Sequence, residues 1–290
     1  MKKIFVTSSL ILASFLASPG QTENWSPIEK VFERKGAVQG DVFKVTFPRT
    51  DLKVTVGEVT IEPGLALTSW IAFKPMDNHV MMMGDLVLLE SEVAPVMEKL
   101  VASGLEASAL HNHLTNETPK IMYLHFGGQG KAIDLAEKMK GILALTKTPI
   151  GPLPLRAERA EEIDWSSVEA MFGFTGQRKG RLLQFGIPRF ETITENGVTL
   201  PPFMGVTTAI NMQRVGEKIA TTGDFVLLAG EVNPVVKALT ENGIAVTAIH
   251  NHMLNESPRL FMLHFWGNDR PELIARGLRA ALDKTNSQKK

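Results

Sequence analysis

"HNHLTNETPKIMYLHF" runs from His111 to Phe126, and "HNHMLNESPRLFMLHF" runs from His250 to Phe265. The chain has seven His, and six of them sit in these two phrases at the same offsets. In a strand, residues two apart share a face, so His111 and His113 point the same way. "TNETP" reads as a turn and "KIMYLHF" as the returning strand, which makes each phrase a β-hairpin. Paired positions in such a hairpin have a constant sum. A sum of 236 sets His111 directly opposite His125, with Cβ atoms about 4.5–5.5 Å apart. A sum of 234 places them diagonally, within reach of imidazole side chains. An odd sum sends His125 to the other face. His250, His252 and His264 obey the same rule.

The repetition extends beyond the histidines. "WSPIEKVFERKG" from Trp25 matches "WSSVEAMFGFTG" from Trp165, and "GDLVLLE" from Gly84 matches "GDFVLLA" from Gly223. The offset is 140 residues early and 139 later, so a single one-residue gap aligns two domain-sized copies. Solenoid repeats are shorter, roughly 20–50 residues. The expected organisation is a signal segment at 1–20, a first copy at 21–148, a linker at 149–162 and a second copy at 163–290. Pro149, Pro152 and Pro154 stiffen the linker, whose second half reads as a short helix. The copies are expected to pack about a pseudo-twofold axis.

Each copy reads as α+β. Ser26 with Glu29, and Ser166 with Glu169, form S-x-x-E patterns that predict capping boxes on short helices. Alternating stretches such as "DVFKVTFPR" and "KVTVGEVTIEP" predict strands. "SEVAPVMEKLVASG" and "EVNPVVKALTENG" read as helices, the second with Asn233-Pro234 as cap and first turn. Asp269, Pro271 and Glu272 form another capping pattern. Each copy therefore ends β-α-β-β-α, with a mostly antiparallel sheet and helices on one side.

Composition bounds the function. Formal net charge is zero, so no basic excess points to nucleic acid. There is no Cys, which excludes disulfides, thiolate ligands and thiol catalysis. Lys2 and Lys3, the apolar run Ile4–Ala17 and Ser18-Pro19-Gly20 read as an export signal. The apolar run is short for a span of about 20 residues. The expected location is periplasmic or secreted, with no stable span after cleavage. No P-loop, G-x-G-x-x-G or G-x-S-x-G pattern is present.

Three imidazoles on one face have two fates. Neutral, they ligate a divalent metal; protonated, they hold an anion. Three His with an open position is a catalytic zinc arrangement, so zinc is the leading metal for His111, His113 and His125 and for His250, His252 and His264. Glu117 and Glu256 complete H-x-H-x3-E in each phrase, as a fourth ligand, a partner of a ligand, or a general base for hydrolysis. H-x-H-x3-E resembles the first metal motif of the cupins, although the intervening helices do not suit a jelly roll. Two other readings stand beside the metal: histidines packed internally, with Asn112, Asn116 and Glu117 as turn-makers, and a non-enzymatic envelope module for an anionic or cell-wall-derived ligand. Arg49 and Arg189 follow a Pro in both copies and read either as receptors for a carboxylate or phosphate or as surface ion pairs. His79 reads as a loop residue, Met81 to Met83 as packing, and Trp25 and Trp165 as packing anchors.

On the phrases H-N-H-x2-N-E-x-P and L-H-F, the sequence resembles the LppY/LpqO-type family of exported bacterial proteins, built from a domain of unknown function that often occurs twice. The resemblance spans nearly all of the chain after the signal. It implies export and a double domain, and it brings no activity or ligand. Those namesakes are lipoproteins. The absence of Cys at this signal implies a soluble exported form.

Overall fold

The computed structural model describes residues 23–152 and 163–288. The signal segment and the helix expected late in the linker lie outside the described residues. The first copy runs α1 (Ser26–Phe32), β1 (Ala37–Gln39), β2 (Val42–Pro48), β3 (Val54–Val56), β4 (Val59–Ile61), α2 (Pro63–Ala66), β5 (Thr68–Pro75), β6 (Val80–Leu89), α3 (Glu90–Ala102), β7 (Glu106–His111), β8 (Glu117–Thr118), β9 (Ile121–Gly130) and α4 (Ala132–Leu143). The second runs α5 (Ser166–Phe172), β10 (Gln177–Lys179), β11 (Leu182–Ile187), β12 (Thr194–Glu195), β13 (Val198–Thr199), β14 (Thr208–Val215), β15 (Lys218–Leu227), α6 (Ala229–Glu241), β16 (Ala245–His250), β17 (Glu256–Ser257), β18 (Phe261–Asp269) and α7 (Pro271–Leu282). A 3-10 turn at Pro202–Met204 stands where the first copy has α2.

Each copy forms a six-stranded antiparallel sheet, in the orders β1-β2-β5-β6-β9-β7 and β10-β11-β14-β15-β18-β16. The α+β reading holds. Side chains alternate across each sheet. On β6, Met82, Leu86 and Leu88 join the core beneath the helices, whereas Met81 and Val87 join cores shared with the other copy. Helices therefore cover one face of each sheet, and the two remaining faces pack against each other. The order of layers is helix, sheet, sheet, helix.

The helices dock by apolar stripes. α4 buries Leu135, Ala136, Met139, Ile142 and Leu143, and α7 buries Ile274, Ala275, Leu278, Ala281 and Leu282. Both sets follow the spacing of one helical face. Trp25 stacks on Phe43 at 5.1 Å, and Trp165 joins the equivalent core, as packing anchors should.

Several local expectations are corrected. Ser26 and Ser166 are the first helical residues, not caps; Asn24 and Asp164 accept their backbone N–H at 3.1 and 2.9 Å. Glu29 and Glu169 instead accept the N–H of Gly36 and Gly176, tying each helix to the turn after it. No side-chain cap opens α7 either: its N-cap is Arg270, with Pro271 as first residue. α6 begins at Ala229, which leaves Asn233 and Pro234 inside the helix. The reason is Glu231, whose carboxylate accepts the Leu228 N–H at 2.7 Å and starts the helix a turn early. Glu231 is itself held by Arg189.

Arg49 and Arg189 are neither surface pairs nor open anion receptors. Arg49 is fully buried and donates to Asp51, Glu92 and the Val87 carbonyl; Arg189 does the same with Glu191, Glu231 and Val226. Each guanidinium spends its planar fork joining a strand end to a helix start.

Candidate metal centre

The hairpin reading requires β7 and β9 to pair with an even sum at the histidines. Residues Glu106 and Ala107 pair at an odd sum, with Gly127 and Phe126. A register shift at Ser108 then adds one, and Ala109, Leu110 and His111 pair with His125, Leu124 and Tyr123. The same shift falls at Thr247 between β16 and β18. This β-bulge decides the site, because one extra residue moves every following side chain to the opposite face. Without it His111 would lie across the sheet from His125. The diagonal arrangement is the one observed.

The connection between the strands is not a tight turn. Glu117 and Thr118 form β8, which pairs with β3 at Val56 and Thr55, and Glu256 and Ser257 form β17 against β12. The Glu117 carboxylate accepts the Ile121 N–H at 3.3 Å, and Glu256 accepts the Leu260 N–H at 3.1 Å and pairs with Arg259. Both fasten the loop that presents His113 and His252.

The two histidine phrases do not form separate sites. They meet at the interface between the copies. His111 stacks on His250 at 3.6 Å between ring centroids, His113 on His264 at 3.8 Å, and His125 on His252 at 3.7 Å. Exchanging the copies turns the first pair into itself and swaps the other two. That is the signature of a pseudo-twofold axis passing between His111 and His250. Thr247, at the second bulge, donates its hydroxyl to the His113 carbonyl at 2.6 Å and helps lock the copies together.

Nitrogen atoms of His111, His250, His252 and His264 lie within 4.8 Å of one another, as do those of His111, His113 and His125. His111 belongs to both groups. The Nδ1 atoms of His111 and His250 face the carbonyls of Asn112 and Asn251 at 3.2 Å, and His264 Nδ1 faces the Gly223 carbonyl at 2.9 Å. A nitrogen facing a carbonyl carries the proton, which leaves Nε2 as the lone-pair donor. All six Nε2 atoms are buried with no hydrogen-bond partner among the described residues. Burial pushes all six imidazoles toward the neutral form, His111 to about 3, and neighbouring histidines push most of them further. Clustered neutral lone pairs without donors have an obvious complement in a divalent cation, and an all-imidazole set suits zinc, copper or nickel.

Two carboxyls that sequence reasoning passed over complete the site. Asp85 is the register partner of His125, and Asp224 that of His264. His125 Nε2 is 3.9 Å from Asp85, and His252 Nδ1 is 3.7 Å from Asp224. Burial raises Asp85 to about 8 and Asp224 well above the carboxylate range, and one oxygen of each has no hydrogen-bond partner among the described residues. Their sequence signal was the "GD" repeated in two otherwise apolar runs. Tyr123 stacks on His113 at 3.4 Å and donates its hydroxyl to the Ala66 carbonyl. Its counterpart is Met262, so the copies are unequal here. His79 lies outside the cluster, its ring beside Asn78 and Gln129.

A cavity of about 680 Å³ opens beside the cluster, between the two sheets; Asp85, His113, Tyr123, His125, Asp224 and His252 line it. Neither Glu117 nor Glu256 does. Among the described residues, no helix is long and apolar enough to cross a membrane.

A family model described as Domain of Unknown Function (DUF1259) matches residues 26–145 and again 166–284. No curated protein matches the chain. Among solved structures, the crystal structure of a trimeric bacterial microcompartment shell protein PduB aligns at 14% identity over 84% of this chain and 87% of that one. Its TM-score is 0.20, too low to carry any argument about fold or function.

Proposed function

We propose that this chain, which belongs to the DUF1259 family, holds a divalent metal, zinc foremost, in one centre built jointly by its two copies. One observation carries the reading: six neutral imidazoles converge from both copies with every Nε2 buried and unpartnered among the described residues. Internal packing alone would leave these polar atoms desolvated without compensation, at roughly 1–3 kcal/mol each.

A bound zinc would supply Lewis-acid polarisation of a substrate oxygen and a lowered pKa for water. Asp85 and Asp224 line the cavity beside the histidines and are the groups able to hold or pass a proton there. This favours them over Glu117 and Glu256 as acid–base groups in any hydrolysis, since the two glutamates are engaged with backbone amides. A non-enzymatic module that only binds its ligand in the same cavity is the second reading, and turnover of chromogenic esters or phosphoesters separates the two. The segment 1–20 and the LppY/LpqO resemblance support a periplasmic or secreted setting.

The test is elemental analysis of the full chain, purified without chelators or a His tag, beside a His111→Ala/His250→Ala variant. Near-stoichiometric zinc or another transition metal, lost in the variant, supports the centre. Metal-free protein whose melting temperature does not respond to added zinc overturns it.

A further inference from the structure

The cavity beside the histidines is longer than a metal site needs. His125, Asp85, Trp70 and Thr46 are successive register partners across β9, β6, β5 and β2. Three strand spacings make this row about 14 Å long. All four residues line the same cavity, and so does Lys44, two residues along β2 from Thr46.

Lys44 is an unusual residue for such a wall. Its ammonium lies 4.3 Å from the Trp70 ring centroid and 4.4 Å from that of Phe203, which comes from the other copy. Aromatic faces attract a cation but do not neutralise it. No carboxylate or carbonyl partners this ammonium among the described residues. Burial lowers its pKa to about 8, so it still carries charge at neutral pH. The second copy has Gln184 at the matching position, and that amide is tied to the Gly64 carbonyl at 2.8 Å. The first copy thus replaces a structural hydrogen bond with a held, uncompensated cation. Lys179 adds a second positive charge to the lining. The wall also includes the apolar side chains of Pro63, Leu65 and Leu182.

We propose that this cavity binds a small organic anion with an apolar body, its acidic group on Lys44 and its other end toward the histidine cluster. The volume is within the range that encloses a ligand of drug size, roughly 300–1,000 Å³. The inference goes beyond the metal centre, because the anion-holding residue is not among the candidate ligands.

The probe is 8-anilino-1-naphthalenesulfonate, an aromatic anion, titrated by fluorescence against its uncharged analogue N-phenyl-1-naphthylamine. The variants are Lys44→Gln, which installs the residue the second copy carries, Lys44→Arg, which keeps the charge, and Lys99→Gln as an exposed control. The expected result is one sulfonate site, weakened about tenfold or more by Lys44→Gln, as loss of a charge-assisted contact predicts. The uncharged dye should bind both proteins alike, and Lys44→Arg should retain the sulfonate. Absence of sulfonate binding, equal binding by Lys44→Gln, or a parallel loss of both dyes overturns the anion site. Zinc content and dye selectivity are separate readouts, so either reading can fail alone.

Discussion

His111 and His250 stack face to face at 3.6 Å across the axis that relates the two copies. His111 is therefore a member of the second copy's cluster as well as its own. His111 contributes to both groups of nitrogen atoms that approach within 4.8 Å.

A shared centre has its own stoichiometry. His111→Ala and His250→Ala, tested singly, should each weaken zinc binding by more than roughly tenfold, the scale on which loss of even a ligand's supporting partner is felt. Two independent sites would instead leave half of the metal bound in each variant. Equilibrium dialysis against zinc distinguishes these patterns.

The pH dependence of the metal-free protein follows from burial. The six imidazoles have folded pKa values below the ordinary 6.5, with His111 at about 3. Below pH 6.5 the unfolded chain therefore binds more protons than the folded one, and stability falls as the pH drops toward His111's value. Asp85 and Asp224 are shifted up and act in the opposite sense: their folded forms keep protons that the unfolded chain releases above about pH 4, Asp85 until about pH 8. Six groups outweigh two, so urea midpoints should decline on acidification from pH 6.5 to 4. A midpoint that is flat or rises over that range would contradict the buried neutral cluster.

Arg49→Met should cost about 3–5 kcal/mol in urea unfolding, because it strands the Glu92 carboxylate in a buried setting. Arg189→Met should cost a similar amount in the second copy, through Glu231. A loss for Arg49→Met within that of an exposed ion pair, below about 1 kcal/mol, would refute the structural role.

Gly223 sits beside Asp224 on β15, where an added Cβ would lie 2.0 Å from the Ala209 carbonyl oxygen. Backbone cannot yield as a side chain does. Gly223→Ala should therefore destabilise by about 1–3 kcal/mol. It should also lower zinc uptake, since the Gly223 carbonyl orients His264 through Nδ1 at 2.9 Å. Unchanged thermal stability together with unchanged zinc content would show that the strands are not in this close contact.

Much of the site was legible in the amino-acid order. The histidine spacing predicted a hairpin able to gather the three rings on one face, and the diagonal pairing was one of the three registers it left open. The repeat predicted two like domains. What the pattern could not carry was the bulge at Ser108 and Thr247, because a one-residue register shift leaves no mark in an alternation that is already short. Arg49 was misread for a related reason: a Pro-Arg step does not reveal that Glu92, on a later helix, folds back onto it. Glu231 likewise displaced the helix start expected at Asn233.

The sequence by itself determined the duplication, the alternation of each strand and the identity of the six imidazoles, since these depend on neighbours a few residues apart. The tertiary structure decided that the two triplets form one cluster, that Asp85 and Asp224 join it, and that Lys44 shares its cavity. Those relations arise from burying the second face of each sheet. Two such faces can be removed from water by packing on each other. That packing brings together residues 139 positions apart, a distance over which no local pattern speaks.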